Sequence, residues 1–101
     1  MGAEAAFRAA LRCSFEALAL CDRNLLRFHY YHGLGIDQLA AVLHDHRTAV
    51  VRQLARIRER MLRDTHRGLA VRLRSDDHQI DQLMAIARDR FDLAITRLLR
   101  S

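Results

Sequence analysis

The sequence predicts an all-α fold, and three observations support this prediction. Half of the 101 residues are apolar, and Ala and Leu are far more frequent than Val, Ile and Thr, which favours helices over strands. Proline is absent and only four glycines occur, whereas a β-sandwich or barrel needs turn residues roughly every 8–12 positions. Apolar residues recur at helical spacing. We therefore expect one domain, residues 1–101, that forms a helix-turn-helix bundle of about five helices.

Two helices are predicted before Gly33. The first is expected over 3–20, because four apolar side chains recur there at steps of four, four and three, the spacing of one helical face. These side chains are Phe7, Leu11, Phe15 and Leu18. Asp22 is predicted to be the N-cap of a second helix over 23–32, since its carboxylate can accept from the free amides of the next turn. Gly33 then ends that helix, because glycine adopts the left-handed conformation without penalty.

A short third helix and a long fourth helix are predicted next. Gly35 caps the third helix with Gln38 as its capping-box partner, and Leu39, Ala40, Val42 and Leu43 supply its apolar side chains. Residues 44–46 interrupt the apolar pattern and indicate a tight turn. The fourth helix starts near Arg47 and has an apolar stripe at three-four spacing. That stripe is Val50, Leu54, Ile57 and Met61. Gly68 either ends or bends this helix.

A long C-terminal helix is predicted over 76–100. Ser75 or Asp76 is its N-cap, and apolar residues follow at three-four spacing from Ile80 to Leu98. Three further apolar residues fall outside that stripe, namely Ile86, Leu93 and Leu99. Two interpretations remain open at this point. The helix has a wide core face, or it carries a second apolar surface that forms a homodimer or binds a partner protein.

The positive charge is concentrated in the middle of the chain. The net charge is +5, and all 17 basic residues are Arg, which suggests a GC-rich bacterial genome. Residues 47–74 contain nine Arg and two acidic residues, and each flank carries a net charge of −1. Five of these Arg lie on one face of the fourth helix at about 100° per residue. They are Arg52, Arg56, Arg60, Arg63 and Arg67. Such a cluster is typical of polyanion binding, although a solvated helix face has the same composition.

Several classes of protein are not supported by the sequence. No apolar run approaches the roughly 20 residues of a membrane span, and no signal peptide opens the chain, so we expect a cytoplasmic protein with no membrane partner. Cys13 and Cys21 are then expected to be reduced thiols. The histidines at 29, 32, 44 and 46 have no matching cysteine pair, so no metal or cofactor is predicted. No catalytic triad or Gly-rich phosphate loop occurs, and we do not expect an enzyme.

The segment 36–63 has the order of a helix-turn-helix, in which a short helix, a three-residue turn and an Arg-rich helix follow one another. The second helix of such a unit fits the major groove of DNA. The longer stretch 23–62 resembles the fourth region of bacterial sigma factors, especially those of the extracytoplasmic-function type. The residues that carry the resemblance are Arg23, Leu25–Leu26, Phe28, Tyr30–Tyr31, Gly33–Leu34–Gly35, Leu39–Ala40 and 50–58.

The resemblance implies binding of double-stranded promoter DNA at the −35 element and a contact with the RNA polymerase core. It implies that the groove-facing residues are Arg47, Thr48, Val51, Arg52 and Arg56. Arg47 and Arg52 would read bases, since a guanidinium can donate twice to guanine. The residues nearer the phosphates would be Arg56, Arg60 and Arg63. Gln53 would either read adenine or lie at the edge of the core.

The sequence differs from the family pattern in three respects. The turn has His44 and Asp45 where the family has glycine and an apolar residue, and Ala49 stands where threonine is usual. A chain of 101 residues has no room for the second sigma region, so we expect an excised domain or a stand-alone descendant.

The alternative function is a protein-protein interaction domain with a relict helix-turn-helix that acts through its C-terminal helix.

Overall fold

Six helices make up most of residues 2–74 and 76–101, the part of the chain that the computed structural model describes. They are α1 (Ala3–Glu16), α2 (Leu20–Leu26), α3 (Ile36–Leu43), α4 (Arg47–Leu73), α5 (Asp77–Asp89) and α6 (Phe91–Arg100). A short π-helix, the π-segment, continues α2 over Arg27–Tyr31. This part of the chain has no strand, so the predicted all-α class with a helical C-terminal region is confirmed.

Helix α4 is the longest element, and α1 packs along it. Its 27 residues span about 40 Å at 1.5 Å per residue. Gly68 does not end the helix, which continues to Leu73. A Cβ atom at Gly68 would lie 2.9 Å from the Cβ of Ala10 on α1. The glycine therefore allows the two helices to approach more closely than any side chain would permit.

The core lies between α4 and the helices that surround it. The largest fully buried side chains are Leu26, Leu39, Val50, Met61, Thr65, Leu69, Ile80 and Ile95. Thr65 is the polar member of this set, and its hydroxyl donates to the Ser14 hydroxyl at 3.3 Å. The Ser14 hydroxyl in turn donates to the carbonyl of Leu11 at 2.6 Å. Because both buried hydroxyls have partners, they link α4 to α1 without the cost of an unsatisfied polar group.

The boundaries of the first two helices differ from the prediction. Helix α1 ends at Glu16, and α2 begins at Leu20 with Ala19 as its N-cap residue. The prediction of Asp22 as the N-cap is therefore wrong. Asp22 lies in the first turn of α2, where the helix dipole also favours a negative charge, and it accepts a hydrogen bond from Gln53 at 3.2 Å.

The α3–turn–α4 order follows the prediction in detail. The side chain of Gln38 accepts from the amide of Gly35 at 2.8 Å, and α4 begins at Arg47. His44 ends α3 in the left-handed conformation, with φ 54° and ψ 45°. Asp45 stays exposed and accepts from the amide of His46 at 2.8 Å. The carboxylate in the turn is therefore not buried, and the cost that burial would impose is avoided.

The C-terminal region is divided into two helices, whereas one helix was predicted over 76–100. Asp76 is the N-cap of α5, as predicted, and accepts from the amide of Gln79 at 2.8 Å; the alternative cap, Ser75, lies outside the described residues. Arg90 separates α5 from α6 with φ −114° and ψ 26°. Helix α5 packs against α4, whereas α6 packs against the π-segment. A single straight helix could not make both contacts.

The π-segment and α6 are joined by aromatic packing and one hydrogen bond. The ring of Tyr30 meets the ring of Phe91 edge-on, with 6.4 Å between the centroids. The Tyr30 hydroxyl donates to Asp92 at 2.7 Å. Burial and this hydrogen bond raise the pKa of Tyr30. Both contacts depend on the change of direction at Arg90, because it turns Phe91 into the core.

Replacement of Gly68 by alanine tests the close approach of α1 and α4. We expect Gly68→Ala to lower the free energy of unfolding by about 1 kcal/mol, because overpacking outweighs the better helix propensity of alanine. Urea denaturation measures this change. In an Ala10→Gly background the clashing methyl group is absent, so the same substitution should be neutral or stabilising. Equal losses in both backgrounds would contradict a contact between these two positions.

The left-handed conformation of His44 gives a second prediction. His44→Gly should raise the free energy of unfolding by roughly 0.5–1 kcal/mol, because glycine adopts positive φ without steric cost. Urea denaturation measures this change as a shift of the midpoint with an unchanged dependence of the free energy on urea concentration. Gly33 has φ 73°, so Gly33→Ala is the matched control and should shift the midpoint in the opposite direction. A destabilised His44→Gly variant would show that the imidazole contributes more than the backbone strain costs.

Candidate nucleic-acid interface

Helix α4 exposes a row of arginines opposite its buried face. The arginine stripe consists of Arg52, Arg56, Arg60, Arg63 and Arg67, and all five are exposed. At about 100° per residue these positions fall within an arc of about 80°. The stripe is about 22 Å long at 1.5 Å per residue. The buried side chains of the same helix, among them Val50, Ile57 and Met61, hold it against the core, so the direction of the stripe is fixed.

The charges of the stripe are only partly compensated. Asp64 lies 3.8 Å from Arg60 and 3.6 Å from Arg67. In residues 2–74 and 76–101, no carboxylate oxygen lies within 4.0 Å of the other three guanidinium groups. These uncompensated arginines are Arg52, Arg56 and Arg63. They occupy an arc of only about 40° on the helix, so an uncompensated positive charge faces one direction.

An open groove of about 630 Å³ runs beside the stripe, and Arg56, Arg60 and Arg63 line it. Two acidic side chains, Asp22 and Glu59, also line this groove. Asp22 accepts from Gln53, and both oxygens of Glu59 accept from Arg88 of α5, the longer contact being 3.1 Å. The hydrogen bond from Arg88 lowers the pKa of Glu59. The two acids are thus engaged by other side chains and leave Arg56 and Arg63 available to an anionic ligand.

The first turn of α4 differs from the stripe. Thr48 and Val51 are exposed there, as expected for groove-facing residues. Arg47, the other predicted base reader beside Arg52, is bound to Asp37 of α3, with 3.0 Å between Nε and Oδ1. Both side chains of this pair are exposed, so water weakens the interaction. The guanidinium of Arg47 is accessible, but its charge is compensated.

The structure also places the apolar side chains of α3 and the side chain of Gln53. Of the four apolar residues predicted in α3, Leu43 is 40% exposed and Val42 is 55% exposed. Leu39 alone is buried in α3, because the helix touches the core along a narrow face. Gln53, left open between base reading and the core edge, is half-buried and directed to Asp22 of α2. It therefore lies at the core edge.

Arg58 belongs to the basic segment but not to the stripe. Its guanidinium lies over the ring of Phe91 at 5.8 Å and donates to the carbonyl of Arg88 at 3.0 Å. It thus joins α4 to the junction of α5 and α6. Sequence analysis did not identify this role, because the partners are 30 or more positions away along the chain. Its half-buried position assigns Arg58 to the structure of the bundle.

Other kinds of site receive no support within the described ranges. No group of three His, Cys, Asp or Glu side chains in residues 2–74 and 76–101 could hold a metal ion. The same ranges contain no helix of the length and apolarity that crossing a membrane requires. Cys13 and Cys21 are free and exposed. The search of protein-family models, of curated proteins and of solved structures found no match to this chain.

The ion pair of Glu59 and Arg88 predicts a pH dependence of stability. The pKa of Glu59 is lowered below its ordinary value of 4.5. Its contribution to the free energy of unfolding is therefore fully present above that value and is lost as the pH falls through the lowered pKa. We expect the wild type to exceed Glu59→Gln in stability at neutral pH and to lose this advantage progressively as the pH falls below 4.5.

Chemical denaturation at several pH values measures the difference between the two proteins. Arg88→Gln is the matched control, because it removes the other partner and should abolish the same pH-dependent difference. Parallel stability curves of the wild type and Glu59→Gln across this range would contradict the ion pair.

Proposed function

We propose that this domain binds double-stranded DNA in a sequence-specific manner as a transcription regulator. Residues 23–62 resemble the fourth region of a sigma factor, and we propose that the domain binds DNA as that region binds the −35 promoter element. The observation that supports the proposal is the group of three uncompensated arginines, Arg52, Arg56 and Arg63, on one exposed face of α4. A rigid positive row on a helix that follows a three-residue turn has the chemistry that a phosphate backbone selects.

The exposed side chains of α4 suggest how the DNA is contacted. A helix with side chains is about 10–12 Å wide, similar to the major groove. In helix-turn-helix proteins, the residues near the start of the second helix contact the base edges. Arg52 is then the base reader for a guanine, and Val51 is suited to contact a thymine methyl group. Thr48 lies in the first turn, where its hydroxyl can donate to a base or a phosphate.

The later part of the stripe would supply affinity. Arg56, Arg60 and Arg63 lie one to three turns beyond Arg52, where the helix leaves the groove and passes a phosphate backbone. Contacts of this kind carry no sequence information but release counterions from the DNA. A sigma-like domain at a promoter would also adjoin RNA polymerase, so the polymerase core is the second partner that we propose.

Substitution of single arginines tests DNA binding. A duplex is first selected from a random library with the wild type, and binding is then followed by fluorescence anisotropy at several salt concentrations. We expect Arg52→Ala to lose about 1–3 kcal/mol and to relax the preference at one base pair. Arg56→Ala should weaken binding to all duplexes and reduce the slope of log K against log salt by about 0.9.

Arg8→Ala is the matched control, because Arg8 is an exposed arginine of α1 outside the stripe. It should leave both the affinity and the salt slope close to those of the wild type. The DNA-binding proposal fails if the wild type does not bind duplexes at low salt. It also fails if the Arg52→Ala, Arg56→Ala double variant binds as the wild type does.

The pairing of Arg47 with Asp37 predicts that removal of a charge increases affinity. Asp37→Asn removes an exposed carboxylate near the proposed DNA face and releases the guanidinium of Arg47. We expect DNA binding to tighten by about three- to tenfold at low salt, and by less at high salt because of screening. Asp89→Asn changes the net charge equally at an exposed position on another helix, α5. If both variants tighten binding to the same extent, only the net charge matters and Arg47 has no local role.

A protein-protein interaction through the C-terminal helices is the second candidate function. It is favoured by the exposure of two large apolar side chains, Ile86 at 56% and Leu93 at 47%. The third residue predicted outside the main stripe, Leu99, packs against the core instead. The surface available for an interaction is therefore limited to the junction of α5 and α6.

A further inference from the structure

An apolar groove of about 400 Å³ lies between the start of α1 and the junction of α5 with α6. The residues that line it include Phe7 of α1, Leu83 and Ile86 of α5, and Leu93 of α6. Phe7, Leu83 and Ala87 are buried or half-buried in it, whereas Ile86 and Leu93 remain exposed. The same face of the domain thus has an apolar cavity and two large apolar side chains that nothing in the described chain covers.

We propose that this groove is the centre of a symmetric homodimer. A two-fold interface uses the same patch on both subunits, so the patch must be complementary to itself. Exposed Ile86 and Leu93 beside an apolar groove satisfy this condition, because each subunit offers both the side chains and the cavity that receives them. An apolar centre of this kind is typical of homodimer interfaces.

The charges at the edges of the groove favour a second copy of this chain over other occupants. Glu4 lies on the α1 side, and Arg90 and Arg97 lie on the opposite side. In residues 2–74 and 76–101, none of the three has an oppositely charged group within 4.0 Å. A two-fold axis can bring Glu4 of each subunit to the arginines of the other. Glu4 would repel an acidic peptide, and Arg90 and Arg97 would repel a basic peptide.

The groove shares no lining residue with the arginine stripe, so the dimer does not depend on DNA binding.

Size-exclusion chromatography with light scattering, over a range of protein concentrations and with a thiol reductant, tests the dimer. The reductant excludes a disulfide through Cys13 or Cys21. We expect the mass of the wild type to approach twice 11.7 kDa as the concentration rises. Ile86→Arg and Leu93→Arg should raise the dimer Kd by about tenfold or more, because each places a charge in the apolar centre. Val71→Arg is the matched control, since Val71 is 75% exposed on α4 outside the groove.

Charge reversal provides a variant set that does not disturb the apolar residues. Glu4→Arg and Arg97→Glu should each weaken the dimer. The double variant should recover most of the affinity, because the two positions again carry opposite charges, with their signs exchanged. Circular dichroism shows whether each variant keeps its helices. A wild type that stays monomeric at all concentrations overturns the proposal. The proposal is also overturned if the Ile86→Arg variant has the same dimer Kd as the control variant Val71→Arg. Neither result affects the DNA measurements, which depend on other residues.

Discussion

The contact between α1 and α4 is the constraint on which the other features of this domain depend. Gly68 and Ala10 bring the two helices close together, and the buried hydroxyls of Thr65 and Ser14 pair beside this contact. A close-packed interface of this kind has few alternative arrangements, since a rotation of α4 would bury arginines and expose Met61. The exposed face of α4 is therefore a consequence of packing on the opposite face. The direction in which the arginine stripe faces is fixed because the other side of its helix is buried.

Arg58 and the arginine stripe have different physical roles on α4. Arg58 is half-buried over Phe91 and joins α4 to the C-terminal helices, and Arg88 of α5 completes that junction by binding Glu59. The stripe, by contrast, makes no contact of this kind with α5 or α6. A guanidinium suits both roles, because its flat face stacks on rings and its edge donates several hydrogen bonds. The high content of Arg in the segment is thus partly a requirement of the fold, and Arg58 in particular belongs to the bundle and not to the proposed DNA face.

The sequence predicted the features that depend on local interactions. The start of α4 at Arg47, the Gln38 contact with Gly35 and the Asp76 cap were all correct, because each depends on residues within one helical turn. The prediction of Asp22 as the N-cap was also local, and it was wrong because α2 begins one turn earlier, at Leu20. The other failures occurred where residues distant along the chain determine the structure. Phe91 packs on Tyr30, and this contact requires the break between α5 and α6 at Arg90. The helical spacing of apolar residues does not reveal such a contact. The exposed arginines of the candidate site could be predicted from spacing, but the pairing of Arg47 with Asp37 could not, since it depends on how α3 crosses α4.

The distribution of compensated charge along α4 bears on how a duplex could be contacted. Helix α4 is about 40 Å long, whereas the major groove is about 12 Å wide, so only part of the helix can lie within it. Arg52 and Arg63 are separated by about 16 Å along the helix axis, so in the proposed complex one would lie near base edges and the other near a flanking backbone. Farther along, Asp64 offsets Arg67, where a straight helix diverges from the DNA and an unpaired charge would gain nothing. At the other end Asp37 offsets Arg47, so a duplex must compete with a carboxylate for this guanidinium. A guanine edge or a phosphate oxygen would have to displace Asp37 from Arg47, so Arg47 would contribute less to binding of a duplex than an uncompensated arginine such as Arg52 does.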